Sequence, residues 1–283
     1  MKKTNIRALS AVFLFALVPG ISLGQTAADS TAFRAAQWNV REVMPGIESG
    51  GAGLELFGQP QYISFLIVDT SKYGLEIRQS PLLKSRTSRM AKRAKAAAAV
   101  NGGFFNVKTG RPVNLLKEDG KLRGNFAKYE DSRGYVAVAP DDKIVISTQE
   151  TRIEETQLDS YDDVLALPRV LVKNGEPVIL RDTQTHPRSA IGTDGRTLIL
   201  MTADGRHPGD AMGLTLDETG WVMRMLGCTQ ALNLDGGGSS TLWNEMEGIV
   251  NHPSDNKKFD HKGERNVGSA LLVVPRSKTW GEE

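Results

Sequence analysis

The sequence predicts an α+β fold: a twisted, mixed but largely antiparallel sheet with a few packed helices, in a single domain. Three observations predict it. Short apolar runs bounded by Gly, Asn and Asp recur along the chain, as buried strands do. Only two segments, residues 89–96 and 216–226, carry clear helical signals. No internal repeat, linker or break in composition divides the 283 residues.

The chain opens with a segment set apart from the rest. Lys2, Lys3 and Arg7 precede an apolar run at 11–18, and Ser22 and Gly24 supply small residues after it. Residues 1–24 therefore read as a secretory signal peptide. The run is too short for a membrane span of ~20 residues. An exported protein, periplasmic or secreted, is expected, with a lead-in at 25–44 anchored by Trp38 and the main domain at 45–275. The one cysteine, Cys228, is far from the cleavage region and cannot form an internal disulfide, so it reads as a small buried residue. The whole chain holds 35 basic and 33 acidic residues; without the three basic residues of the signal the balance is 32 to 33. That near-neutral balance gives no reason to expect a nucleic-acid partner.

Each element follows from local chemistry. Residues 62–70 (YISFLIVDT) form a strand, with 74–79 expected beside it. Thr87 or Ser88 can cap the 89–96 helix, whose basic side chains read as a solvated face or, alternatively, a polyanion contact. Two hairpins are expected: 136–139 with 144–147 across Asp141-Asp142, and 165–172 with 178–180 across Asn174-Gly175. Asp194-Gly195 predicts a third, with a two-residue loop pairing Gly192 with Thr197, Arg188 with Met201 and His186 with Ala203. In Thr215-Leu216-Asp217-Glu218 the Thr and Glu form a capping box, which gives Glu218 a structural role, and Gly227 ends that helix. Residues 248–263 make a polar loop containing His252 and His261, and 267–274 form the last strand.

Three places carry the chemistry. Residues 231–243 read ALNLDGGGSSTLW: a short strand, the carboxylate of Asp235, three glycines and three hydroxyls. The N–H groups of Gly236, Gly237 and Gly238 can form an anion nest, and Ser239 and Ser240 add donors. Asn101-Gly102 and Asp204-Gly205 likewise follow apolar runs. Such dipeptides are also plain turn formers. Three of them ending strands suggest one site, because ligand sites gather at strand ends. The expected hairpin adds His186, Arg188 and Arg206 at the same end. Four histidines, none at metal-ligand spacing, make a weak metal case; no cofactor is expected, and a divalent metal is not excluded.

The motifs NGGFF (101–105), HPRSAIG (186–192), DGR (204–206), GLTLDE (213–218), ALNLDGGGSSTL (231–242) and ERNVGSALLVV (264–274) occur in order. In these the chain resembles the phosphodiester glycosidase family, from about Pro45 to Val274. It departs mildly at Ser189, where the family's typical motif has Thr. The resemblance implies a hydrolase that splits the C1–O bond of a sugar-1-phosphodiester, with a glycan or sugar-phosphate as its partner. A phosphate leaving group departs as an anion, so cations and N–H donors can take over part of the general acid's task. Arg188, Arg206 and the 236–238 nest are the donors in that scheme. Asp235, or failing it Asp204, activates water or stabilises charge at C1, and Asn101 orients substrate or water. An ordinary glycosidase, a metal-dependent phosphodiesterase and a non-catalytic polysaccharide binder are the alternatives. The oligomeric state, the sugar and the linkage are open.

Overall fold

The computed structural model describes residues 26–80, 84–123, 133–149 and 155–276. The signal-peptide expectation lies outside them. Among the described residues the strands form one eight-stranded sheet, two five-stranded sheets and a two-stranded ribbon. In the large sheet the strands run Arg41–Met44, Ile47–Leu56, Gln59–Asp69, Thr197–Ala203, Arg188–Thr193, Gln230–Asn233, Val170–Lys173 and Glu176–Pro177. Every described ladder is antiparallel, so the parallel part of the expected mixed sheet is absent there, and one sheet has become several.

The large sheet is buried on both faces, which explains its continuous apolar runs. Along Arg188–Thr193 and Thr197–Ala203, Ile191, Leu198 and Leu200 face the two smaller sheets and pack with Val136, Leu165, Val100 and Leu271. The alternate residues, Ala190, Ile199, Met201 and Ala203, face a helical layer. That layer is α1, Ala27–Ala35, which contributes Phe33, together with the helix at Leu216–Met225, which contributes Trp221, Val222 and Met223. Between them in sequence lie α2 (Thr87–Ala94) and the short α3 (Glu155–Leu158), so the Leu216–Met225 helix is α4. No helix among the described residues is long and apolar enough to cross a membrane.

Several expectations need correction. The segment at 73–79 does not pair with 62–70; it joins a smaller sheet beside Ser269–Pro275. The run 165–172 is two strands, because Pro168 cannot extend a ladder: Asp163–Leu167 enters one sheet and Val170–Lys173 another. The Asn174-Gly175 turn itself is present, with φ of 52° and 80° at its two residues. The 188–203 hairpin is shifted by two residues, with Arg188 opposite Ala203 and Gly192 opposite Ile199. Its loop is wider than two residues because Asp194 Oδ1 accepts both Arg196 N–H and Thr197 N–H, at 2.8 and 2.7 Å. Neither Thr87 nor Ser88 caps α2; the carboxylate of Glu264 accepts from Ser88 N–H at 2.7 Å and from its hydroxyl at 2.6 Å. The α4 capping box forms as expected, with Glu218 Oε2 accepting Thr215 N–H at 2.7 Å.

Candidate functional site

The site is built where two sheets meet. Strand Gln230–Asn233 of the large sheet and strand Ala98–Asn101 of a smaller one end side by side, so the strand ends do not belong to one sheet as the sequence suggested. Asn101, fully buried, fastens them. Its Nδ2 donates to Asp235 O at 2.6 Å, and its Oδ1 accepts from Ser189 Oγ at 2.7 Å and Thr241 N–H at 3.1 Å. Gly102 completes the seam: its carbonyl accepts Asp235 N–H at 3.0 Å, and a side chain there would press on Ser269. The Asn101 amide is thus spent on holding Asp235.

Asp235 is half-buried at the head of the glycine turn. Burial pushes its pKa up to about 6, against the Ser239 side chain, the Gly236 N–H and the charge of Arg265, which all favour the ionised form. Gly236 N–H donates to Oδ1 at 3.0 Å. The Ser239 hydroxyl is buried in the same turn. The rest of the nest is partly closed. Gly237 N–H donates to Pro187 O at 2.8 Å, and Ser239 and Ser240 N–H turn back onto Gly236 and Gly237 carbonyls at 3.2 Å. That leaves Gly238 N–H without a backbone partner in this turn among the described residues. The Ser240 hydroxyl is buried and has no partner among the described residues.

Glycine is needed here for space as well as for backbone angles. A Cβ on Gly236 would stand 2.6 Å from Pro187 O, and one on Gly237, at φ +63°, would stand 2.9 Å from Arg206 Nη2. The guanidinium of Arg206, itself exposed and at φ +66°, therefore covers the turn. Arg265 and Asp255 close over Gly238 as a bidentate pair, Nε to Oδ2 at 2.8 Å and Nη2 to Oδ1 at 2.7 Å. Sequence reading passed over that pair, although Arg265 lies inside the quoted ERNVGS motif.

The other expected residues have different surroundings. Arg188 is buried, and its Nε and Nη2 are engaged: Nε donates to Leu214 O at 2.8 Å, and Nη2 to Asp182 Oδ2 and Gln184 O, both at 2.7 Å. Burial pulls its pKa down and Asp182 opposes this. His186 is half-buried nearby, its pKa lowered by burial and then by the charges of Arg188 and Arg206. Asp204 is 1% exposed, and its carboxylate holds His252 N–H at 3.0 Å, His252 Nδ1 at 2.8 Å and Asn251 Nδ2 at 3.1 Å. The same Asn251 amide reaches Ser240 O at 3.2 Å, which ties Asp204 to the far side of the turn. His252 stacks on Phe259 with ring centres 3.8 Å apart. Among the described residues no three His, Cys, Asp or Glu side chains converge as metal ligands do.

The arrangement offers one partly exposed carboxylate of raised pKa, one exposed guanidinium over a glycine turn, and buried hydroxyls behind them. The family model for phosphodiester glycosidases matches residues 94–274, which contain every one of these groups. The chain belongs to the phosphodiester glycosidase family. The mouse N-acetylglucosamine-1-phosphodiester alpha-N-acetylglucosaminidase is 26% identical over 178 residues, 56% of this chain and 33% of that protein. The prophage-derived protein YomE of Bacillus subtilis is 30% identical over 177 residues, 59% of this chain and 27% of its own length. The chain thus aligns with about a third of the length of these relatives. Among solved structures, the zebrafish enzyme's catalytic domain, auto-inhibited by its pro-peptide, superposes with a TM-score of 0.64 at 21% identity, covering 83% of this chain and 86% of that one. A Synechocystis protein superposes at 0.69 with 14% identity, covering 86% and 64%. At these identities the superpositions establish a shared fold.

Proposed function

We propose that this phosphodiester glycosidase hydrolyses the C1–O bond of a sugar-1-phosphodiester, releasing free sugar and a phosphomonoester. The observation that carries the reading is Asp235: a carboxylate with a pKa of about 6, beside a glycine turn capped by the Arg206 guanidinium. A base poised near neutrality suits water activation. Water attacks C1 and gives its proton to Asp235, while the C1–O electron pair leaves with the phosphate oxygen. Arg206 receives the departing anion by charge-assisted hydrogen bonds. Because that leaving group is already acidic, no second carboxylate has to protonate it, unlike the paired acids of ordinary glycosidases. Asp204 and Arg188 serve as positioning residues in this scheme, since their polar atoms hold backbone and His252. The basic and then apolar first 24 residues support an exported protein.

The test is a panel of α-linked sugar-1-phosphodiesters incubated with the purified protein in ¹⁸O-labelled water. Label in the sugar product supports C1–O cleavage. Label in the phosphate product overturns it in favour of attack at phosphorus, and no turnover across the panel favours a binding protein.

A further inference from the structure

A cleft opens over the start of strand Val170–Lys173. It has a volume of about 510 Å³, within the ~300–1,000 Å³ of small-molecule sites. Val170, Val178, Leu180 and Leu216 give it an apolar floor, and Arg133, Arg169 and Arg181 stand around it. All three arginines are exposed, and among the described residues none has a carboxylate within ion-pair distance. Among the described residues the one carboxylate lining the cleft is Asp182. Its Oδ2 is already taken by Arg188 Nη2 at 2.7 Å and Leu216 N–H at 2.9 Å, so it cancels Arg188 and leaves the cleft cationic.

The cleft adjoins the proposed chemistry. Arg169 O accepts Asn233 N–H at 3.1 Å, two residues before Asp235. The Asp182 carboxylate reaches Arg188, whose Cα lies 3.7 Å from where a Gly236 Cβ would stand. The cleft and the site thus share the walls formed by these strands, and a ligand long enough to reach from Asp235 to Arg169 would enter the cleft. The aliphatic floor suits the apolar face of a sugar ring, and the guanidinium rim suits a planar or tetrahedral anion.

We propose that Arg133, Arg169 and Arg181 bind a second anionic group on the aglycone, so that the substrate is a glycan carrying repeated negative charge, phosphate or carboxylate, and not a neutral glycan with one phosphodiester. This rests on the hydrolase reading above and narrows its substrate class.

The experiment compares two substrates sharing the sugar that the panel selects. One has a neutral methyl aglycone; the other has an aglycone ending in a phosphate monoester. The wild-type protein should favour the second by about 10–100-fold in kcat/KM, expressed in KM, as two charge-assisted contacts would provide. In the double variant Arg169→Gln/Arg181→Gln that preference should fall below about threefold, while kcat/KM for the methyl substrate stays within about twofold. Arg181→Gln alone, at an exposed loop position, should lose part of it. A wild-type protein without the preference, or a double variant that keeps it, overturns the proposal. In parallel, calorimetric titration with tripolyphosphate reads the cleft without catalysis. Binding by the wild type that weakens at least tenfold in the double variant supports the cleft; equal binding, or none, refutes it. If neither substrate is turned over but tripolyphosphate binding depends on the arginines, the hydrolase reading falls and the anion cleft stands.

Discussion

Replacing Asp235 with asparagine keeps the side chain's size and its acceptor for Gly236 N–H, and removes a charge that burial disfavours. The carboxyl moves from an ordinary pKa of 3.8 to about 6 in the folded protein. An unfolded chain ionises first, so wild-type stability is lost as the pH rises from about 4 to 6 and stays low above that. The gap corresponds to about 3 kcal/mol at 1.36 kcal/mol per pH unit. Part of it relaxes through water at the half-buried site, so Asp235→Asn should gain about 1–3 kcal/mol at pH 8 and little at pH 4. For a chain of this size that is a rise in Tm of roughly 2–10 °C. The same variant should lose about 10²–10⁴-fold in kcat. Thermal melts of both proteins at pH 4 and pH 8, followed by circular dichroism, measure the effect. A variant no more stable at pH 8, or stabilised equally at both pH values, refutes the claim that the site holds a destabilising charge.

Three further outcomes follow from the same geometry. Wild-type kcat/KM should rise about tenfold per pH unit below 6 and level off above it, because Asp235 acts ionised; a profile that falls through pH 6 would make it a general acid. Asn101→Ala strands Thr241 N–H and Ser189 Oγ in a buried seam and should cost about 2–4 kcal/mol in denaturant unfolding. Gly220→Ala in α4, normally worth up to ~1 kcal/mol of helix stability, should instead destabilise by about 1–3 kcal/mol, since the new Cβ would sit 2.7 Å from Leu171 O.

The sequence displayed local chemistry well and long-range pairing poorly. The Thr215–Glu218 capping box, the Asn174-Gly175 turn and the Asp141-Asp142 hairpin depend on neighbours a few residues apart, and each formed. The partner of residues 73–79 is almost two hundred residues away, at Ser269–Pro275, and no local signal names it. α1 was missed although Thr26 and Asp29 make a reciprocal cap, because its only buried apolar side chain is Phe33 and no helical stripe stands out. The two-residue shift of the 188–203 hairpin came from the Asp194 carboxylate gathering extra N–H groups into the loop. At the site, the positions of Asn101, Asp204 and Asp235 stood out as strand ends. Which of them keeps a free side chain did not, because that depends on Asn251, His252 and Ser189, brought in from distant segments.

The Asn101 fastening has a consequence for how the protein would fail. Asp235 owes its raised pKa to burial at a joint between two sheets, which the Asn101 amide and the Gly102 carbonyl span together. If gentle heat or low denaturant parted the sheets there while the strands themselves persisted, water would reach the carboxylate and its pKa would slide back toward 3.8. The acidic limb of the rate profile would then shift before any secondary structure was lost. Asp235 is in that sense a gauge of whether the joint is closed, and activity measured against pH would register its loosening earlier than a melting curve.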